Sequence, residues 1–250
     1  MSEIYIYSFG SVVLVSLLSL VGIFTLSLNE NTLKKYIFLL VSLAAGALLG
    51  DAFIHLIPEV FENPVVQTQA PILIISGILI FFLLEKFLHW HHHAIEDHGQ
   101  ETVHPTGRMI LISDGVHNFI DGLIIAVGYM ASIEIGTATT LAVILHEIPQ
   151  EIGDFGVLLH SGYTKKRAIW LNFLSALFAI LGAAVAIIIG NSTSNLIYWL
   201  LPITAGGFIY IALSDLMPEL HKTKTGGRSV FQFIALLAGI GAMILLLTFE

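Results

Sequence analysis

In the segment TLAVILHEIPQEIGDF (140–155), an apolar run is followed by one histidine and three carboxylates, and the segment contains no lysine or arginine. A carboxylate inside a membrane is costly unless a positive charge or a hydrogen-bond donor meets it. Whatever neutralises Glu147, Glu151 and Asp154 is therefore expected to be central to the function of this protein.

The composition predicts a membrane protein. Of 250 residues, 56% are hydrophobic and 11% are charged, whereas a soluble domain has about 25% charged residues. We therefore expect an all-α integral membrane protein that forms a single domain over residues 1–250. A helix of roughly 17 to 25 apolar residues can cross a bilayer, and the sequence predicts eight such spans: Ile4–Leu28, Tyr36–Pro58, Pro71–Phe87, Arg108–Met130, Ile133–Leu159, Ala168–Ile189, Leu196–Met217 and Val230–Phe249.

Several classes of function are disfavoured by the same features. The first run is interpreted as a retained span rather than a signal peptide, because it is long and has no basic start. The chain has no cysteine, so disulfides and thiolate metal sites are excluded. The spans leave no room for a soluble catalytic domain, so we expect the function to lie in the helical bundle, with no enzymatic activity and no nucleic-acid partner.

The basic residues predict the orientation. The ten lysines and arginines all fall in, or at the span ends that border, the connections between spans one and two, three and four, five and six, and seven and eight. Cytoplasmic connections are enriched in lysine and arginine. We therefore expect these four connections in the cytoplasm, both termini outside it, and the plasma membrane as the location.

Spans two and seven share a sequence pattern. AGALLGDAFIHLIPE (45–59) aligns with AGGFIYIALSDLMPE (205–219), with an Ala-Gly pair at the start of both, a Pro-Glu pair at the end of both, and His55 opposite Asp215. The two spans cross the membrane in opposite directions, so the pattern indicates inverted three-span repeats around a central pair. This 3+2+3 arrangement is typical of secondary carriers, whose sites lie near the midplane. Chance similarity between apolar helices is the alternative.

Spans four and five would form the central pair, and both carry polar stripes. On span four, polar residues recur every three or four positions and so share one helix face: Asp114, His117, Asn118 and Asp121. On span five, a stripe at spacing four is flanked by two glutamates: His146, Gln150 and Asp154, with Glu147 and Glu151 beside them.

Proline and glycine are expected to shape this pair of helices. Pro149 cannot donate a backbone hydrogen bond, so it would bend span five or free a carbonyl. Gly115, Gly122 and Gly153 lie beside the stripes, and small residues of this kind would let spans four and five approach closely.

The charge balance indicates what the stripes bind. Acidic residues lie inside the spans, including Asp51 and Asp215, but no lysine or arginine lies clearly inside one. Protonation or a bound cation must therefore neutralise the carboxylates. Imidazole and carboxylate without thiolate suit a divalent metal such as zinc, iron, manganese or cadmium. A purely structural hydrogen-bond network and a proton-conducting chain are the alternatives.

The connection over residues 88–107 is rich in histidine. Histidine-rich tracts bind metals, so this predicted cytoplasmic loop is a candidate weak metal binder or sensor, with a solvated linker as the alternative. Six of the eleven histidines of the chain lie there: His89, His91, His92, His93, His98 and His104.

The paired motifs HNFIDG (117–122) and HEIPQEIGD (146–154) resemble the signature of ZIP (Zrt/Irt-like) metal transporters, particularly the branch with HNFxDG and HExPxExGD. GDAFIHLIPE (50–59) and the histidine-rich connection are similar to that branch as well. The resemblance covers nearly the whole chain. It implies eight helices with both termini outside, and inward transport of zinc or a related divalent ion through a central site that holds one or two ions.

The resemblance also implies a set of ligands. Gln150 departs from the His or Glu that is usual at its position, which puts a second ion in doubt. Further groups are expected to assist or to line the path: Asn172 as an additional ligand, Glu151, Asp154 and Asp114 as neighbouring or exit groups, and His55 and Asp51 on the opposite side. The implied metal ligands are His117, Asn118, Asp121, His146, Glu147 and Gln150.

Other functions remain open at this point. An intramembrane metalloprotease would need the second histidine of HExxH, and position 150 is glutamine. A zinc-dependent membrane hydrolase needs an open coordination position and an activated water, and it leaves the repeat unexplained. A metal sensor and a bis-histidine haem protein are further alternatives. The sequence does not distinguish zinc from related metals, or a monomer from a homodimer.

Overall fold

The computed structural model describes residues 2–21, 30–93, 105–192, 196–221 and 226–249. Within these ranges the backbone is helical apart from short turns, and no strand occurs. The prediction of an all-helical protein is confirmed.

Eight helical stretches, α1 to α8, follow one another in the described ranges, one for each predicted span. Some are interrupted by a turn of different helical type. Their bounds are Ser2–Leu18 with a 3-10 turn at Ser19–Val21 for α1; Glu30–Gly50, a π-helical turn at Asp51–Leu56 and Ile57–Glu62 for α2; Ala70–His93 for α3; Pro105–Ala131 for α4; Ile133–His160 for α5; Lys165–Ala176 and Phe178–Ser192 for α6; Leu196–Tyr210, a π-helical turn at Ile211–Leu216 and Met217–His221 for α7; and Gly226–Leu246 with a 3-10 turn at Leu247–Phe249 for α8.

Six of these stretches, in the described part of the chain, are long and apolar enough to cross a membrane. The exceptions are α7, which has a shorter apolar helix over Tyr198–Ser214, and α5, which carries several carboxylates. A membrane protein with several spans is therefore confirmed, while the count of eight spans stays a prediction. The six segments are Glu3–Val21, Phe38–Glu62, Ala70–Phe87, Ile110–Ala131, Lys165–Gly190 and Ser229–Leu246.

The outer surface of the helices is apolar. Ile72, Leu83, Ile188 and Phe233 are each at least 60% exposed. A soluble monomer rarely exposes large contiguous apolar patches, whereas contact with lipid hydrocarbon suits these side chains.

The helix α3 extends beyond its predicted end at Phe87. It continues to His93, so the backbone of His89–His93 is helical and the predicted loop over 88–107 begins later. The helix continues because Leu88 and Trp90 prolong the apolar run and no glycine or proline interrupts it. The predicted loop ligands His98 and His104 lie outside the described residues, as do the side chains of His89, His91, His92 and His93.

The helix α5 is unbroken across Pro149. It begins where the hydroxyl of Ser132 accepts a hydrogen bond from the N–H of Ile135 at 3.1 Å. Because proline has no N–H, the carbonyl of Leu145 lacks its usual helical partner. The predicted freed carbonyl is therefore compatible with the structure, but the proline does not end the helix.

The two sequence-matched segments in α2 and α7 share an unusual backbone feature. A π-helical turn occupies Asp51–Leu56 in α2 and Ile211–Leu216 in α7, which are equivalent positions in the alignment of 45–59 with 205–219. Each turn leads into the matched Pro-Glu pair. Isolated π turns are rare and are often found at functional sites; the inverted repeat itself stays a prediction.

Matched glycines also set two matched helix crossings. A Cβ on Gly46 of α2 would lie 2.1 Å from the carbonyl oxygen of Leu236 in α8, and a Cβ on Gly239 of α8 would lie 2.2 Å from that of Leu43. The backbone of the neighbouring helix therefore leaves no space for a side chain at either glycine.

The equivalent contacts recur between α7 and α3. A Cβ on Gly206 would lie 2.1 Å from the carbonyl oxygen of Ile74, and one on Gly77 would lie 2.2 Å from that of Ile203. The glycines of α2 and α7 correspond in the sequence alignment, so α2 packs on α8 as α7 packs on α3.

The glycines of the central helices do not all act as predicted. Gly122 of α4 lies against α6, where a Cβ would come within 1.8 Å of the carbonyl oxygen of Ala179, and not against α5. Gly153 has open space where its side chain would be. The expected close approach of α4 and α5 through Gly115, Gly122 and Gly153 is therefore wrong. The two helices instead approach through another glycine pair, since a Cβ on Gly128 of α4 would lie 3.1 Å from the Cα atom of Gly136 of α5.

Candidate metal centre

Two residues of α4 and two of α5 meet at one point. His117 and Asp121 lie one helical turn apart on α4, while His146 and Glu147 are adjacent on α5. Each offers a ligand atom, and the four atoms all lie within 4.8 Å of one another. Within the described residues, this is the one group of three or more His, Asp and Glu side chains that has such geometry.

The distances between these atoms are short and similar. The Nε2 atom of His146 lies 3.3 Å from Nε2 of His117 and 3.2 Å from Oδ2 of Asp121. The Nε2 atom of His117 lies 3.8 Å from that same oxygen. The Oε1 atom of Glu147 lies 3.5 Å from Nε2 of His117 and 3.6 Å from Nε2 of His146.

These separations match the edges of a zinc coordination sphere. Nitrogen and oxygen ligands lie about 2.0 to 2.2 Å from zinc, so two tetrahedral ligands are about 3.3 Å apart. Five ligand–ligand distances in the cluster fall between 3.2 and 3.8 Å. A divalent ion can therefore be held by these four groups with small side-chain adjustments.

The surroundings of His146 prepare it to act as a ligand. Its Nδ1 atom lies 3.1 Å from the carbonyl oxygen of Ala142. A carbonyl only accepts, so Nδ1 carries the proton and donates, which leaves a lone pair on Nε2 in the neutral ring. The lone pair faces the other three ligand atoms.

The carboxylates of the cluster lack ordinary neutralising partners. Asp121 and Glu147 are 0% exposed, and in the described part of the chain none of their four oxygens accepts a regular hydrogen bond. No described lysine or arginine side chain forms an ion pair with them; their charged contacts are with the two histidines. Buried carboxylates in this condition are suited to a cation.

The cluster is closed on one side and open on another. The ring of Phe208, from α7, packs 6.5 Å from that of His146 and is fully buried. The side chain of His117 is 19% exposed and lines a cavity of about 400 Å³. The cavity therefore adjoins the four ligands on the His117 side.

The cavity is lined by further predicted site residues and by two that the sequence interpretation missed. Asp114, Gln150 and Asp154 form part of its wall, together with Glu85 of α3 and Tyr210 of α7. The hydroxyl of Tyr210 donates to the carboxylate of Glu85. The sequence interpretation did not assign Glu85 to the site, because this residue lies near the end of the predicted span Pro71–Phe87. An acidic residue inside an apolar span was nevertheless a signal for a functional position.

Gln150 lies at the border of two cavities. Gln150 and Asp154 also line a second cavity of about 370 Å³, with Phe38 of α2 and Leu216 of α7. The predicted stripe of His146, Gln150 and Asp154 is thus divided: His146 turns into the cluster together with Glu147, while the other two residues line cavities.

A second polar network joins α4 to α6 beside the cluster. The amide nitrogen of Asn118 donates to Oδ1 of Asp114 at 2.8 Å, and the hydroxyl of Ser175 donates to the other oxygen of that carboxylate. The amide of Asn172 donates to the buried carboxylate of Glu151. The structure therefore connects Asn118, Asp114, Glu151 and Asn172 to neighbours by hydrogen bonds, and it adds Ser175, which carried no sequence signal because serine is common in apolar helices.

Asp51 and His55 form a separate pair. They lie one turn apart in the π-helical turn of α2, with His55 Nδ1 3.4 Å from Asp51 Oδ1 and both side chains almost completely buried. They are not members of the four-residue cluster. The side chain of Asp215, opposite His55 in the alignment, lies outside the described residues.

Comparison with known proteins agrees with this geometry. The family model described as ZIP Zinc transporter matches residues 2–108 and 91–247. The chain is 36% identical to "Zinc transporter ZIP13" of Pongo abelii over 82% of this chain and 65% of that protein. It is 29% identical to "Zinc transporter SLC39A7" of Rattus norvegicus, over 99% of this chain and 73% of the relative, and 30% identical to "Metal cation symporter ZIP14" of Xenopus tropicalis, over 99% and 70%.

These relatives are named transporters and not enzymes, as the sequence predicted for this chain. The chain spans 65% of the length of the first of them, which is less than two thirds. The family matches cover almost all of the chain, including the helices that carry the four-residue cluster. The resemblance inferred from the paired motifs is thus confirmed: the chain is a membrane protein that belongs to the ZIP zinc transporter family.

Proposed function

We propose that this protein carries zinc, or a related divalent ion such as iron, manganese or cadmium, across a membrane toward the cytoplasm. The ion is held on its way by His117, Asp121, His146 and Glu147. The observation that carries the proposal is the convergence of these four ligand atoms at spacings close to the edge of a zinc tetrahedron.

Charge neutralisation explains why such a cluster can lie in a membrane. Two carboxylates and two neutral imidazoles carry a net charge of about −2, which one divalent ion cancels. The loaded cluster is thus neutral overall, and the cost of burying its carboxylates is offset by coordination. Coordination thus explains how Glu147 is neutralised. Glu151 and Asp154, the other two acids of the segment 140–155, lie outside the four-residue cluster.

The neighbouring polar residues are assigned supporting parts. Asn118 and Gln150 are additional ligands when the ion shifts or a second ion enters, and the amide of Gln150 is the weaker donor. Asp51 and His55 line the far side of the path. The remaining groups, on the cavity walls or in the network beside the cluster, guide the ion or position the ligands: Asp114, Glu151, Asp154 and Asn172.

We propose eight membrane spans in a 3+2+3 arrangement, with both termini outside the cytoplasm. The alternation of basic connections supports this topology. The paired π turns and the matched glycine crossings support a repeat that relates α2 to α7 and α3 to α8. The helix α5 crosses the membrane despite its carboxylates, because those groups face the cluster, the cavities and α6 rather than lipid.

The plasma membrane is the proposed location, with the histidine-rich connection in the cytoplasm. There it binds metal weakly through some of its six histidines, after the ion has left the helices. The exposed apolar faces leave room for a homodimer as well as for lipid.

The test of transport is metal uptake into proteoliposomes that contain a metal-sensitive dye, with zinc and cadmium offered outside. The informative variant is the double substitution His146→Ala, Glu147→Ala. A matched control is His221→Ala, Glu134→Ala, which removes the same two residue types at exposed positions.

We expect saturable uptake in the wild type and in the control, and none in the cluster variant with its fold intact by circular dichroism. Stoichiometric metal binding by the wild type without any flux would contradict transport and favour a zinc-dependent hydrolase or a sensor. Full flux in the cluster variant would contradict the assigned path.

A further inference from the structure

A groove lies on the outer face between α4 and α6, separate from the cavity beside His117. Its volume is about 540 Å³ and its lining is almost wholly apolar. Ile112 on α4 and Phe178 and Leu181 on α6 are 57%, 49% and 53% exposed along it. Both helices contain candidate membrane spans, so the surface faces hydrocarbon.

The two helices that form the groove run in the same direction. Ser175 of α6 donates a hydrogen bond to Asp114 in the first half of α4, and Gly190 near the end of α6 lies against the side chain of Met130 near the end of α4, so residue numbers rise together along both helices. The first residues of α4 and of α6 therefore lie at the same end of the groove.

That common end is basic. The helix α6 begins with Lys165, Lys166 and Arg167, all exposed, and Arg108 is exposed near the start of α4. Arg167 lies over the ring of Tyr163 at 5.3 Å. Within the described residues, none of the three basic residues of α6 forms an ion pair with a carboxylate, so their charges are available to an anion at the membrane surface.

We propose that an anionic phospholipid binds here, with its phosphate at the basic start of α6 and one acyl chain in the groove. The apolar lining of α6 extends from Leu171 to Leu181, which is about 15 Å of helix. The hydrocarbon core of one bilayer leaflet is also about 15 Å thick. The length and the charge of the site thus both match one lipid of the leaflet at the basic end, which attracts anionic lipids.

The groove is separated from the candidate metal centre by a thin wall. Val116 lines both the groove and the cavity beside His117. Ser175, in the groove wall, donates a hydrogen bond to Asp114, which lines that cavity. An acyl chain in the groove therefore contacts the residues that fix Asp114 and the neighbouring turn of α4, so lipid binding is expected to alter metal uptake.

The test is native mass spectrometry of the delipidated protein, titrated with phosphatidylglycerol and with phosphatidylcholine of the same acyl chains. We expect one phosphatidylglycerol to bind in preference to phosphatidylcholine. The triple variant Lys165→Gln, Lys166→Gln, Arg167→Gln should weaken phosphatidylglycerol binding by about fivefold or more, since each basic residue near the surface contributes attraction to anionic lipid. Equal binding of the two lipids, or an unaffected triple variant, would overturn the proposal.

The acyl part of the site has its own variant. A Cβ on Gly115 would meet only ordinary contacts, 3.8 Å from Phe178 and 3.9 Å from Ser175, so Gly115→Leu fills the groove without a backbone clash. Gly241→Leu is the matched control, because it adds the same side chain at an exposed position in α8 with nothing within 4 Å. We expect lipid binding to fall in Gly115→Leu only; an equal loss in both variants, or none in either, would contradict an acyl chain in this groove.

A functional readout separates the groove from general charge effects. Zinc uptake should differ between vesicles with and without phosphatidylglycerol, and Ser175→Ala should remove that difference while the lipid still binds. Uptake that responds to phosphatidylglycerol equally in Ser175→Ala and in the wild type would contradict coupling through Ser175.

Discussion

The central helix pair and the outer helix pairs of this protein are held together in opposite ways. Between α2 and α8, and between α7 and α3, glycines allow backbone to lie on backbone. Between α4 and α5, two histidines and two buried carboxylates face one another. The glycine contacts leave no charge unpaired, whereas the two buried carboxylates of the central pair lack hydrogen-bond donors within the described residues. On the proposed function, the outer helices thus frame a centre suited to binding a cation rather than to stability.

Among the variants considered, Asp121→Asn should have the largest effect on metal binding between α4 and α5. It keeps the size of the side chain but removes the charge of a ligand, so we expect zinc affinity to fall by more than about 100-fold, beyond the roughly 10- to 100-fold typical of lost supporting contacts. The metal-free variant should unfold at a higher temperature than the metal-free wild type, because a buried charge has been removed. Calorimetric titration and thermal unfolding measure the two quantities, with Asp51→Asn as the control that leaves affinity at the cluster nearly unchanged. Unchanged affinity in Asp121→Asn would remove this residue from the site.

Acidification should weaken the same contact without any substitution. His117 and His146 must both be deprotonated to bind an ion, so metal competes with protons and affinity falls as the pH decreases. Titration at about pH 6 in buffers of different ionisation enthalpy should detect the release of up to about two protons per ion. His117→Ala should release fewer; metal binding with no proton release at that pH would contradict coordination by the imidazoles.

Substitutions at the glycine contacts of the outer helices should lower the thermal stability of the protein rather than its affinity for zinc. Gly46→Ala and Gly206→Ala each place a Cβ 2.1 Å from a backbone oxygen, and overpacking of this kind costs about 1 to 3 kcal/mol. Both variants should melt earlier than the wild type by similar amounts, because the two crossings are equivalent. Gly10→Ala and Gly241→Ala, which have open space, are the controls. A marked difference between Gly46→Ala and Gly206→Ala would argue against equivalent repeats.

The smallest effect is expected at Asn172, which lies beside the central helix pair. Asn172 of α6 donates to the buried carboxylate of Glu151, so Asn172→Ala leaves that group without its amide partner. Zinc affinity should fall by about tenfold or less, with normal thermal stability when metal is present. A loss as large as that of Asp121→Asn would make Asn172 a direct ligand.

The sequence predicts the helices and the residues of the candidate metal centre better than their arrangement. Apolar runs predict the positions of all eight helical stretches, and the spacing of His117 and Asp121 places both on one face of α4. Spacing does not predict that Glu147 joins His146 in the cluster while Gln150 faces the cavities, because that depends on how α5 is rotated against α4. The π turns are also not predicted by a hydrophobic pattern with a 3.6-residue period, because a π turn interrupts that period. Glu85, Tyr210 and Ser175 come from three different helices and meet the site only after folding.

The paired π turns have a consequence for the history of the chain. A π turn closes with an i→i+5 hydrogen bond and so accommodates one more residue than an α turn; a single-residue insertion in a helix would produce one. Two independent insertions would fall at equivalent positions, six residues after matched Ala-Gly pairs, only by coincidence. On the proposed repeat, an insertion shared by the two halves would be older than their duplication, and the irregular helix of α2 and α7 would have been present in a half-length ancestor.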